Sequence, residues 1–94
     1  MAYARVASFE NVPPEALEEI TKEIRDGERP ENLLATEILV LADREGGKMQ
    51  AITFYDSEDD YRQGDAALSA MDPGDTPGRR TSVTKYEVAV RRSD

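Results

Sequence analysis

Residues 43–61 read DREGGKMQAITFYDSEDDY, and three readings of that stretch compete. Gly46-Gly47-Lys48 could open a phosphate-binding loop, and the acids from Asp56 to Asp60 could hold a metal ion. Alternatively, the stretch is a hairpin turn, a strand and the start of a helix. A phosphate loop needs Gly, four residues, then Gly-Lys-Ser/Thr leading into a helix, so that backbone N–H groups surround the phosphate. Here the first glycine and the hydroxyl residue are both missing, and KMQAITFY continues as a strand pattern. A calcium loop wants a glycine at its sixth position and a glutamate at its twelfth. Counting from Asp56, those positions are Tyr61 and Ala67. The hairpin reading stands: Arg44-Glu45-Gly46-Gly47 turns the chain, because glycine accepts the positive φ that tight hairpins demand.

Working outward, Lys48–Tyr55 is a strand and Thr36–Asp43 (TEILVLAD) is its hairpin partner. Ser57 fits a helix N-cap, with Asp60 three residues on resembling a capping box. The helix that follows is expected over about Glu58–Met71, with Tyr61, Gly64, Asp65 and Leu68 sharing one face. Upstream, Tyr3–Phe9 (YARVASF) reads as the first strand, and Pro13-Pro14 starts a helix whose stripe is Leu17, Ile20 and Ile24. Gly27 is its expected C-cap, and Pro30 prevents continuation. Downstream, Asp72–Gly78 is a loop by its proline and glycine density, and Arg79–Arg92 is a long alternating last strand.

The order β-α-β-β-α-β over residues 1–94 makes one α+β, ferredoxin-like domain. It places two helices on one face of a four-stranded antiparallel sheet, and those helices can cover only that face. Yet the middle strands are apolar on both faces. Ile38 and Val40 point one way and Leu39 and Leu41 the other; Ile52 and Phe54 oppose Met49, Ala51 and Tyr55. A sheet with one wet face should alternate apolar with polar. Burying a large aliphatic group contributes roughly 1.5–3 kcal/mol, so half a dozen contribute on the order of 10 kcal/mol before costs. The expectation is a homodimer, with two sheets packed face to face about a two-fold axis.

Composition narrows the chemistry. The 94 residues contain no cysteine, histidine or tryptophan, which excludes thiol nucleophiles, zinc–thiolate sites, histidine bases and histidine-ligated haem. No metal and no cofactor is expected. A net charge of −8 argues against nucleic acid and anionic membranes as partners. The charge is uneven: residues 10–31 carry eight acids and three bases, and residues 79–92 carry five bases and one acid. No apolar run approaches the roughly 20 residues of a membrane helix, and the N-terminus lacks an apolar signal core, so the cytoplasm is the expected location.

The stretches YARVASFE, GGKMQAITFYDSEDD and GRRTSVTKYEVAV, in that order of elements, resemble the dimeric α+β barrel superfamily. Its antibiotic-biosynthesis-monooxygenase-like domains include small uncharacterised members in which a strand ending in an aromatic runs into such an acidic helix start. The resemblance implies a homodimer whose facing sheets form a barrel, with a cleft between sheet and helices. A small apolar or aromatic molecule is the expected occupant of that cleft. The candidate lining is Tyr3, Arg5, Phe54, Tyr61, Asp65 and Tyr86, with no catalytic residue assigned. Asp65 reads either as a buried acid facing the cleft or as an ion-pair partner of an arginine. The alternative activity is that of a cofactor-free monooxygenase acting on an electron-rich aromatic, in which polar residues such as Asn11 orient the substrate. Absence of the tryptophan and histidine of characterised members argues against haem degradation.

Overall fold

The structure is a computed structural model and describes residues 2–27, 33–69 and 78–92. Its elements are β1 (Tyr3–Glu10), α1 (Pro14–Asp26), β2 (Glu37–Asp43), β3 (Lys48–Tyr55), α2 (Glu58–Ser69) and β4 (Arg79–Glu87). The strands form one antiparallel sheet in the order β2-β3-β1-β4, the ferredoxin-like arrangement that the sequence predicts. Pro30 and residues 70–77, where the loop and the end of the second helix were expected, lie outside the described residues.

Local chemistry explains the element ends. Pro14 occupies the first helical turn of α1, where a missing N–H costs nothing. Gly27 caps that helix in an extended conformation, its N–H donating to the Glu23 carbonyl at 2.7 Å. A Cβ there would lie 2.4 Å from that oxygen, so the glycine serves close approach rather than a left-handed turn. In the β2–β3 hairpin Gly47 takes φ +65°, and the Asp43 carboxylate accepts the Gly46 N–H at 3.0 Å. The Ser57 hydroxyl accepts the Asp60 N–H at 3.1 Å and caps α2. The acids behind it form ion pairs on the helix surface: Glu58 with Arg62 and Lys85, and Asp59 with Arg62.

Register sorts the side chains. Tyr3 pairs with Tyr55, Arg5 with Thr53, Ala7 with Ala51 and Phe9 with Met49, and these residues face the helices. Under α1, Val12, Leu17 and Met49 form a buried cluster edged by Phe9, Ile20 and Val40. Under α2, Leu33, Ala35, Tyr55 and Tyr61 form a second, edged by Tyr3, Ile38 and Leu68. The alternate residues project from the opposite face, where no helix lies: Ala4 opposite Phe54, Val6 opposite Ile52, and Leu39 opposite Ile52 from the other side. Leu39 and Leu41 remain 40% and 47% exposed, which places the second apolar face where the sequence puts it.

The last strand is shorter than expected. It leaves the sheet after Glu87, which pairs with Tyr3 at the first rung of β1; one further bond runs from Val88 N–H to the Ala2 carbonyl. Alternation in VAVRR continues past the point where β1 supplies a ladder, so pattern alone overextends the strand. Instead, Arg91 reaches across the helix-free face, stacking on Phe54 at 4.7 Å from the ring centre and pairing with Glu37.

Candidate functional site

Three strands and one helix converge on a polar cluster enclosed by aromatic rings. On the central rung, Arg5 of β1 has Thr53 of β3 on one side and Lys85 of β4 on the other. One rung away lie Tyr3 and Tyr55. Above them, α2 presents Tyr61, Gly64 and Asp65, spaced at one helical turn so that all three meet the sheet.

Gly64 sets how closely the helix approaches. A Cβ at that position would lie 2.3 Å from Cε1 and 2.4 Å from Oη of Tyr55. The Tyr55 ring therefore lies directly against the α2 backbone, fully buried. Tyr61 meets it edge to face at 5.4 Å and meets Tyr3 at 6.4 Å. The Lys85 ammonium lies 4.8 Å from the Tyr3 ring centre and 5.0 Å from that of Tyr61, and its third contact is Glu58 at 3.3 Å. The cation lies over both rings at the solvent-facing side of the cluster, its side chain 40% exposed.

Within it, Arg5 is only 5% exposed and donates from Nε to the Asp65 carboxylate at 2.8 Å. The other arm is unpartnered: Arg5 Nη2, Thr53 Oγ1 and Tyr55 Oη are all buried and make no hydrogen bond among the described residues. Burial raises the Tyr55 phenol above its ordinary value, with the nearby Thr53 hydroxyl and the Arg5 guanidinium opposing, and Asp65 adding to the rise. The Thr53 hydroxyl lies near enough to Tyr55 Oη to favour the phenolate as a hydrogen-bonding neighbour does, although the pair falls outside strict hydrogen-bond geometry. Burial likewise raises Tyr61, reinforced by Asp65. Glu58 is lowered, first by its hydrogen bond from Lys85 and then by that charge. Both phenols are thus held protonated at neutral pH, as hydrogen-bond donors rather than bases.

Four of the expected site residues meet here: Tyr3, Arg5, Tyr61 and Asp65. The ion-pair reading of Asp65 is the one the geometry supports. Phe54 and Tyr86 are corrected. They share the opposite face of the sheet, where Phe54 lies under Arg91 and Tyr86 is 55% exposed. Strand alternation forbids Phe54 and Tyr55 from lining one cleft. Asn11 is also remote: it is exposed beyond the far end of β1 and holds φ 56°, a turn position. Thr53, Tyr55 and Lys85 were missed. Gly64 on the α2 stripe was the available signal, since a glycine among core-facing helix residues marks a bulky neighbour packed on the backbone.

An open depression of about 280 Å³ lies elsewhere, at the hairpin end of the sheet between Leu41–Asp43 and Lys48–Gln50. It shares no residue with the cluster.

The chain matches no protein-family model and no curated protein. Among solved structures it is similar to a crystal structure from Chloroflexus aurantiacus J-10-fl, provisionally described as an antibiotic biosynthesis monooxygenase. The two superpose with a TM-score of 0.65 over 99% of this chain and 98% of the other, at 8% sequence identity. The likeness is one of fold, over the whole length of both chains.

Proposed function

We propose that this protein is a small-molecule-binding domain of the antibiotic-biosynthesis-monooxygenase-like type. It takes an aromatic ligand between the sheet and α2 and assembles as a homodimer through its helix-free face. One observation supports the binding reading: three buried polar atoms, on Arg5, Thr53 and Tyr55, have no hydrogen-bond partner among the described residues, beside the Tyr55–Tyr61 ring pair. Buried polar groups are almost always paired, and the exceptions call for an explanation such as a bound molecule.

Assembly is supported by Val6, Leu39, Leu41, Ile52, Phe54 and Tyr86, which all project from the face that α1 and α2 leave open. A patch of that kind is a protein-interaction surface more often than a wet one. The second reading, a cofactor-free monooxygenase acting on an electron-rich aromatic, is favoured by the description of the C. aurantiacus structure. In it, the same donors would orient the substrate and stabilise negative charge that develops on its oxygen.

Thermal denaturation against a panel of mono- and bicyclic aromatics, together with oxygen-electrode assays on quinols, separates the two readings. Stabilisation without oxygen consumption supports binding alone, and consumption with turnover supports the oxygenase. Neither response from any compound refutes both. Sedimentation velocity at micromolar concentration tests assembly, and a single 10.5 kDa species refutes it.

A further inference from the structure

Resting on the assembly reading above, we infer that Val88–Arg91 is an internal strap. It holds the aromatic end of the helix-free face in the single chain and must come off before a second copy can seat there.

The rungs of the sheet locate it. Glu37, Phe54, Ala4 and Tyr86 form one row across all four strands on the helix-free face, with β2 at one edge and β4 at the other. The chain leaves β4 after Glu87 and fastens the Val88 N–H to the Ala2 carbonyl at 2.9 Å. It then delivers Arg91 to Phe54 of β3 and Glu37 of β2. β3 lies two strand spacings, about 10 Å, from β4, and four residues reach at most about 14 Å. The segment therefore runs crosswise with little slack. Farther along the same face, Leu39 and Leu41 stay substantially exposed.

Space makes strap and partner exclusive. Facing sheets pack about 10 Å apart with their side chains interdigitated. A guanidinium 4.7 Å from the Phe54 ring centre fills that layer. The hold is weak enough to yield: the Arg91 and Glu37 side chains are both about half exposed, and Val90 is almost fully exposed. An exposed cation–π contact or ion pair biases an equilibrium by about fivefold or less. Assembly releases two straps, one per copy, so their effects multiply in the dimer constant.

Sedimentation velocity over a concentration series gives the dimer constant, and NMR on the dilute single chain reports the strap itself. There, the Phe54 ring should shift the Arg91 side-chain protons upfield, and Phe54→Leu should remove that shift. Arg91→Ala should tighten the dimer about tenfold or more, and Glu37→Gln several-fold. The first removes a positive charge from a net −8 and the second a negative one, so net charge alone would move them in opposite directions. An absent ring shift overturns the strap and leaves the assembly reading standing. A ring shift with a dimer that either substitution weakens or leaves unchanged overturns the competition, and weakening would make Arg91 part of the interface. Single chains throughout, in the wild type and both variants, overturn the assembly reading and the competition with it.

Discussion

Arg5 and Asp65, 60 residues apart in sequence, meet at 2.8 Å and tie the central strand to the second helix. The pair is lopsided: the Arg5 side chain is 6% exposed and that of Asp65 43%. Asp65→Ala therefore strands a buried cation, whereas Arg5→Met removes the charge and keeps an aliphatic stem. Breaking a buried pair costs roughly 3–5 kcal/mol, and water around Asp65 reduces this to about 2–3 kcal/mol. Urea denaturation should find Arg5→Met the milder of the two. If Asp65→Ala is the milder, the guanidinium has another partner and its burial is misread.

Gly64→Ala sets two effects against each other. In an exposed helix interior alanine gains up to about 1 kcal/mol over glycine. Here the new methyl meets Cε1, Cζ and Oη of Tyr55 at 2.3–2.5 Å, and overpacking a core costs roughly 1–3 kcal/mol. Destabilisation should win. Tyr55→Phe should not rescue it, since the ring carbons remain, whereas Tyr55→Leu in the same background should recover part of the loss. A Gly64→Ala protein with a raised melting temperature would show that helix and ring are not in contact.

Alkaline conditions test the buried phenols. Tyr55 and Tyr61 are both raised above 10.0 by burial. Between that value and each raised one, the unfolded chain loses a proton that the folded chain keeps. Stability is therefore flat through neutral pH and falls as pH rises past about 10. Phenolate absorbance should show a late-titrating component that shrinks in Tyr55→Phe and again in Tyr61→Phe. A titration complete near 10 in the folded protein would mean that both rings are wet.

Much of this fold is legible in the sequence because local signals agree. Gly46-Gly47 between two apolar runs, Pro13-Pro14 before a helical stripe and Ser57 before an acidic turn each name an element boundary that the structure reproduces. The site is less legible, for a reason of parity. Residue type marks Phe54 and Tyr86 as candidate lining, but which face a strand residue takes depends on register with strands tens of residues away. The pairing of Tyr3 with Tyr55, rather than with Phe54, places Tyr55 inside and Phe54 outside. Likewise, nothing in VAVRR says that β1 ends its ladder at Tyr3. That information lies in the partner strand.

Leu41→Glu probes the helix-free face without touching the cleft. Leu41 is 47% exposed and on edge strand β2 pairs with Gln50 of β3, while its neighbours Val40 and Ala42 point toward the helices. In a single chain the substitution replaces one half-wet side chain with another, so the cost should stay within about 1 kcal/mol. At a dimer interface two copies of a buried carboxylate would face apolar surface, each uncompensated, which is far more costly. The two situations therefore predict different observables. If the face is an interface, the wild type sediments as a dimer, and Leu41→Glu yields a folded monomer with near-native circular dichroism. It should also retain ligand affinity in the cleft, because α2 and β1 are untouched. A wild-type monomer, or a Leu41→Glu dimer of unchanged affinity, would mean that Leu39, Leu41 and Ile52 are not the surface through which the copies meet.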